Sequence, residues 1–381
     1  MIKPEMLCPS WPNKPLGEVV DFLDHLRRPI TARDREPGPY PYYGANGQQD
    51  SVANFIFDEP LILMAEDGGY FDDPRRAIAY RVEGKCWVNN HAHVLRPKPG
   101  VNIDFLCRQL EQYDVTRFIN GATRQKLNKS TATEIPITLP PLSEQKRIAA
   151  ILDKADAIRQ KRQAAIKLAE DFLRATFLDM FGDPITNPKG WNVVPLKKLG
   201  YVTTGNTPPR INPGFYGNDI EWIKSDNINT PYHYLSKATE RLSKSGKKVA
   251  RTAPPLSTLI TCIAGSFNCI GNAALTDRDV CFNQQINAIT PYVNTDPFFL
   301  YVQILAAKKI IQNASTNSMK GMVSKGIFEQ IMLFQPPKDL QRKFGFFFEK
   351  YLKTMNTIRS FESINSALFN SLIQRAFQGE L

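Results

Sequence analysis

The sequence predicts an α+β fold in which two strand-rich domains alternate with two long helices, the helices packing as an antiparallel coiled coil and the whole forming a pseudo-two-fold internal repeat. Three observations predict it. Short motifs recur in the same order across the two halves of the chain. A long helical pattern follows each half. The stretches ahead of those helices are dense in Pro and Gly and carry short β-type runs.

The recurrences come first. Trp11-x-x-x-Pro15-Leu16 returns as Trp191-x-x-x-Pro195-Leu196, an offset of 180. CWVNNHAHVLRP, from Cys86 to Pro97, returns as VCFNQQINAITP, from Val280 to Pro291, at 194. KSTATEIPITLPP, from Lys129 to Pro141, returns as KGIFEQIMLFQPP, from Lys325 to Pro337, at 196. The drifting offset puts insertions in the middle of each half. The anchors are apolar, Pro or Gly positions suited to a shared core, while the middles differ as two versions of one surface would. The expected boundaries are 1–140 for the first strand-rich domain, 141–183 for the first helix, 184–337 for the second domain and 338–381 for the second helix.

Each Pro-Pro fixes extended backbone and is followed by a residue able to cap a helix, Ser143 in the first copy and Asp339 in the second. Apolar residues then recur at 3–4 spacing. Ile148, Ile151, Leu152 and Ala155 match Phe344, Phe347, Phe348 and Tyr351 at offset 196. Gly182-Asp183-Pro184 ends the first helix, and the chain stops shortly after the second. Each pattern runs close to 40 residues, about 60 Å at 1.5 Å per residue. A stripe that long is buried by pairing the helices, which would hold the two domains apart like the ends of a ruler. The alternative is that each helix caps its own domain's core.

Within the domains, Leu61 to Met64, Cys86 to Val88 and His93 to Leu95 read as strands in the first half. Leu259 to Ile263 and Ile286 to Ile289 do so in the second. Short helical patterns cover Asp104 to Tyr113 and Pro297 to Asn313.

Lys and Arg outnumber Asp and Glu by 48 to 37, a net charge of +11, which suits a polyanionic partner. The N-terminal stretch MIKPEMLCPSWPNKP offers no signal-peptide core. No apolar run approaches the roughly 20 residues that span a bilayer. The six cysteines include no C-x-x-C pair, so buried thiols in a reducing cytoplasm are expected. The expected location is therefore cytoplasmic, with no membrane association, no cofactor and no metal.

Polar and aromatic side chains gather in the turns. Tyr40 to Gln49 offers Tyr42, Tyr43, Asn46 and Gln48, and the matching stretch Glu221 to Asn229 offers Lys224, Ser225 and Asn227. Amides pair bidentately with adenine, and Lys or Arg with guanine. Two Gly-containing basic segments suit phosphates: Arg124, Lys126 and Lys129 in the first half, Lys320 and Lys325 in the second. His91 adds a ring at the tip of the repeated run. These thirteen residues are the candidate DNA contacts.

The run LNKSTATEIPITLPPLSEQKRIAAILDKADAI, Leu127 to Ile158, with Pro140, Pro141, Leu142, Glu144 and Gln145, resembles the specificity subunits of type I restriction–modification systems. The terminal Ala376 to Leu381, AFQGEL, is similar to that family's usual ending. The resemblance extends over nearly the whole chain. It implies two target-recognition domains reading a bipartite, asymmetric site in double-stranded DNA. It also implies paired helices that set the spacing and dock two DNA adenine methyltransferase subunits, with restriction and translocase subunits joining that core. The first helix, whose exposed face mixes both charges, supplies the docking candidates Glu144, Gln145, Arg147, Lys154 and Arg159. The second Pro-Pro is followed by Lys338-Asp339-Leu340-Gln341, which departs from the Glu-Gln pattern.

Three strings imitate catalytic sites. Asn212-Pro213-Gly214-Phe215 resembles an adenine-methyltransferase motif but has no G-x-G cofactor loop upstream. Asp72 or Asp73 with Glu83 and Lys85 imitates a Mg²⁺ nuclease. His91 and His93 could ligate a metal from one strand. The expected protein is a non-catalytic recognition and scaffold subunit, and the alternative is a nuclease built on Asp73, Glu83 and Lys85.

Overall fold

The computed structural model describes the chain apart from Met1, Pro4, Met6, Pro74, Arg75 and residues 122–124 and 317–320, together with the side chains of residues 361–366. It divides into two compact units, one of residues 1–163 with 361–381 and the other of residues 164–360. The division falls inside both long helices, Leu142–Phe181 and Lys338–Gln378.

In the first unit one four-stranded antiparallel sheet runs Val20–Phe22, Ala92–Pro97, Leu61–Ala65, Ala79–Val82. A second runs Gly47–Val52, Pro37–Gly44, Lys85–Val88, Phe57–Asp58, its middle pair parallel. In the second unit the corresponding orders are Gly200–Thr204, Ile286–Pro291, Thr258–Thr261, Ala273–Leu275 and Arg241–Leu242, Tyr216–Ile223, Val280–Phe282, Thr252–Ala253, again with a parallel middle pair. A two-stranded ribbon closes each unit in the same register. Asn13 faces Thr138 in one, and Val193 faces Phe334 in the other. The repeat is thus one of topology as well as of sequence.

Strand Leu61–Ala65 shows why the cores form. All five residues are buried. Because side chains alternate across a strand, Leu61 and Leu63 pack with Phe57, Val88 and Val94 between the sheets, while Ile62 and Met64 face helix Ile103–Glu111 through Phe105 and Leu106. In the second unit Leu259 and Ile260 divide between two cores in the same way.

The long helices, 40 and 41 residues, begin at Leu142 and Lys338. Ser143 and Asp339 therefore lie within the first turn and are not the caps. The carbonyls of Pro141 and Pro337 already accept helical bonds from Gln145 and Gln341. Gly182 and Gly379, at φ of +81° and +75°, follow the two helix ends, a left-handed conformation that glycine adopts without a Cβ penalty.

Within the first unit the start of one helix and the end of the other pair antiparallel: Arg147 bonds the Leu381 carbonyl, and Arg159 lies over Phe369. Ile148, Ala149 and Leu152 share a core with Ile373, Ala376 and Phe377, and that core is also the domain's own. Within the second unit Glu170 pairs with Arg359, and Phe172 and Phe177 meet Phe347 and Phe344. Helix pairing and capping of the domain core, set apart as alternatives by sequence, are both present.

One glutamine joins head and helix in each unit. Gln145 Oε1 accepts from the backbone N–H of Asn102 at 2.8 Å, and its Nε2 donates to the carbonyls of Pro140 at 2.8 Å and Gly100 at 3.2 Å. Gln341 accepts from Asp296 N–H at 3.0 Å and donates to Pro336 O at 2.7 Å. Asn102 and Asp296 are the N-caps of helices Ile103–Glu111 and Pro297–Ala306. The second copy therefore departs from the Glu-Gln pattern only at Leu340. The glutamine is retained, at offset 196, and does the same work.

Candidate nucleic-acid interface

The candidate contacts of the first unit separate into an exposed group, an enclosed group and a distant one. The exposed group forms around residues 67–68. Asn46 Nδ2 donates to Gly68 O at 2.9 Å, Asp67 is bonded to His91 Nδ1, and Asp67 bridges the backbone of Lys126. Lys126 Nζ also lies 3.0 Å from Glu66. Asn46 and Gln48 are exposed on the hairpin Pro37–Gly44 with Gly47–Val52, a segment that sequence alone suggested was an irregular turn. Asn46, His91 and Lys126 thus share one polar edge, while the Gln48 amide donates to Asp50 O and Ser51 Oγ on its own strand.

Tyr42 does not join it. It is 1% exposed, its hydroxyl bonds the backbone of Ile30, and Arg35 covers its ring at 4.3 Å. Its strand position points it inward, so it is a core residue and not a contact. Tyr43, half-buried, packs against Tyr80. Lys129 is exposed, but lies over Phe22 beside Arg96 and Lys98, along a different strand edge. Arg124 lies outside the described residues.

Under the polar edge sits a charged cluster. His93 Nδ1 is 2.7 Å from Asp24 and its Nε2 is 2.8 Å from the Leu127 carbonyl. Arg27 reaches Glu66 at 2.6 Å and the Ala92 carbonyl at 2.7 Å. Burial opposes ionisation of Asp24 and Glu66, but the bonds from His93 to the one and from Arg27 and Lys126 to the other outweigh it and hold both carboxyls below their ordinary range. Asp24, Glu66 and His93 are close enough to surround an ion. With both imidazole nitrogens engaged and two cations already on Glu66, the cluster fits an internal ion network rather than a metal centre. His91 and His93 do not act as a ligand pair, since each faces its own carboxylate. Among the described residues, Asp72, Asp73 and Glu83 form no metal-holding group. Asp72 accepts from Gln125, and Glu83 pairs with Arg81 at 2.9 Å.

The second unit reproduces this framework in different chemistry. Glu66 N–H donates to His91 O at 2.9 Å and Leu127 N–H to Glu66 O at 2.8 Å. The counterparts Cys262 to Gln285 O and Val323 to Cys262 O are both 2.8 Å. Where the first unit places Asp24 on His93, the second places Thr204 on Asn287, at 2.6 Å. The ionic network becomes a neutral one, and burial pushes the Cys262 thiol up to about 12. Lys224 stands at the polar edge, 2.6 Å from Glu240 and over the Trp222 ring at 5.4 Å. Arg210 shares both partners. Ser225 is half-buried. Asn227, 7% exposed, has its amide engaged by Lys224 N–H, Ser236 and the Lys237 carbonyl. It holds a turn and does not face outward. Lys325 is exposed, near Glu329 and the Tyr201 ring. Lys320 lies outside the described residues.

Of the docking candidates, Glu144 and Arg147 pair at 2.7 Å and Lys154 and Arg159 are exposed on the first helix. Gln145, 2% exposed, is not a surface residue, because the cap of the neighbouring helix consumes its amide. Arg210 and the ion network were missed by motif reading. The signal that could have exposed the network was the offset applied to polar as well as apolar positions: Asp24, Glu66 and His93 fall on Thr204, Cys262 and Asn287.

Comparison with known proteins agrees with this architecture. Residues 10–168 and 188–366 each match the type I restriction modification DNA specificity domain. A putative type I restriction enzyme specificity subunit of Haemophilus influenzae is 39% identical over 145 residues, covering 38% of this chain and 37% of the relative. The HindI specificity subunit of the same species is 27% identical over 201 residues, covering 49% and 41%. The chain thus spans about two fifths of the length of these curated relatives. The type I S subunit of M. genitalium has the same fold at 14% identity, with a TM-score of 0.65 over 97% of this chain and 96% of that one. A chain from a structural study of type I R-M complex assembly superposes at a TM-score of 0.54 and 16% identity, over 98% and 99%. Among the described residues no helix is long and apolar enough to cross a membrane. With two copies of the specificity domain filling most of its length, the chain belongs to the type I restriction modification DNA specificity family.

Proposed function

We propose that this protein is the non-catalytic, sequence-specific DNA-recognition subunit of a type I restriction–modification complex. Each strand-rich head reads one part of a bipartite asymmetric site in double-stranded DNA. The helices carry two adenine methyltransferase subunits, to which restriction and translocase subunits are added. The functional boundaries are 1–140 and 184–337 for the heads and 141–183 and 338–381 for the spacer helices. The observation that carries this reading is a framework repeated down to individual hydrogen bonds while the polar residues on it differ: His91 and Lys126 line one edge, Gln285 and Lys224 the other. A common scaffold with divergent surfaces suits a target whose halves differ. Glu144, Arg147, Lys154 and Arg159 remain the docking candidates.

The test is to co-express the chain with an adenine methyltransferase partner and map methylated adenines across random DNA. A two-part motif with a fixed gap is expected. A contiguous motif, or methylation without sequence preference, would remove the reading. Incubation with DNA and Mg²⁺ addresses the nuclease alternative, which requires cleavage that Glu83→Ala abolishes.

A further inference from the structure

In both heads a buried asparagine builds the same turn at the polar edge. Asn89 N–H donates to Tyr43 O, and Asn283 N–H to Ile223 O, each at 3.0 Å. Their side-chain oxygens accept from the N–H two residues on, His91 at 2.8 Å and Gln285 at 3.1 Å. Both asparagines are buried, 3% and 6% exposed. The turn is therefore fixed from below and behind, and it lifts the residue between onto the surface. That residue is an amide in both heads, Asn90 and Gln284, and both are exposed.

Each flanking residue is held at one side-chain atom. His91 Nδ1 is held by Asp67, and Gln285 Oε1 accepts from Asn283 Nδ2 at 3.0 Å. Among the described residues nothing bonds the Asn90 side chain. Thr207 donates to the Gln284 oxygen, which leaves that amide's two N–H donors and a second lone pair. A lysine lies beside each turn in the backbone, since Lys126 pairs with Asp67, the partner of His91, and Lys224 follows Ile223, whose carbonyl anchors Asn283; their ammonium groups rest on Glu66 and Glu240. Cations position a protein on phosphates, whereas base edges are read by groups that can both donate and accept. A carboxamide does both in one plane, matching the N6 donor and N7 acceptor of adenine in the major groove.

We propose that Asn90 and Gln284 are equivalent specificity-determining residues, each reading the major-groove edge of an adenine in its own half-site. This rests on the two-head reading above. The extra methylene of Gln284 gives the second head a longer reach from the same turn, one source of different half-sites from one framework.

The experiment uses the full chain assembled with its methyltransferase partner, and methylation mapped on random DNA, for wild type, Asn90→Ala and Gln284→Ala. Asn90→Ala is expected to lose discrimination at one position of one half-site, on the order of tenfold to a hundredfold, with the other half-site unchanged. Gln284→Ala is expected to do the reverse. Unchanged preference in both variants overturns the proposal. So does uniform weakening over all sequences, which would make these residues phosphate contacts, and so does loss of assembly, which would make them docking or folding residues. If the wild type itself shows no bipartite motif, the two-head reading fails. If it does and the variants keep it, only this proposal fails.

Discussion

Replacing Gln145 with leucine removes the clamp between the first head and its helix while keeping a side chain of similar size. Three bonds go: one accepted from Asn102 N–H at 2.8 Å and two donated, to Pro140 O at 2.8 Å and Gly100 O at 3.2 Å. The site is 2% exposed, so water does not replace them. An unsatisfied buried polar group costs about 1–3 kcal/mol. The Asn102 N–H and the Pro140 carbonyl both lose their partner, for a total of about 2–6 kcal/mol. Gln341→Leu removes two bonds from the second head and is expected to cost slightly less. The assay is amide hydrogen exchange read residue by residue, which reports local opening without assuming that the two units unfold together. In Gln145→Leu the amides of Asn102 and Phe105 should exchange faster, while Asp296, Phe298 and Phe299 keep their protection. Gln341→Leu should give the opposite pattern. Protection at Asn102 equal to wild type, or a stability loss under about 1 kcal/mol, would refute the clamp.

Three further outcomes follow from other sites. His233, packed among Tyr301, Phe348 and Tyr351 and near Arg359, is pushed by burial and then by that guanidinium from 6.5 down to about 4. The unfolded chain takes up a proton below 6.5 that the folded chain refuses until about 4, so stability is full above that window and falls through it, by about 3 kcal/mol in all. Urea unfolding of the second unit from pH 7 to 4 should show that fall, and His233→Gln should flatten it; an unchanged slope would assign the fall to other groups. Gly345→Ala should destabilise by about 1–2 kcal/mol although alanine is the better helix former, because a Cβ would lie 2.5 Å from the Asp296 carboxylate that caps helix Pro297–Ala306; a higher midpoint in thermal unfolding would show that the carboxylate moves aside freely. Removing seven residues, about two turns, from facing parts of both long helices should shorten the gap in the methylated motif by about three base pairs at 3.4 Å each and leave the half-sites intact, whereas altered half-sites would show that the helices do not act as a spacer.

The sequence by itself determined the duplicated plan. Apolar anchors and Pro-Pro junctions recur because each unit needs the same core, and apolar periodicity is a local property that survives divergence. It also marked the long helices, whose 3–4 stripe is visible without any partner. What it could not assign was the direction in which a polar side chain points. Tyr42, Gln145 and Asn227 look like surface chemistry in a list of residues, yet strand alternation, a helix cap and a tight turn direct each of them inward. Nothing in the sequence sets Asn90 and Gln284 apart from His91, because the buried asparagines that lift them out act only in the folded turn. Tertiary structure also decided that a cluster of two carboxylates and a histidine is bridged by Arg27 and Lys126, residues 24 to 126 of the chain meeting at one point. Such convergence depends on long-range contacts, whereas periodicity needs only neighbours three or four residues away.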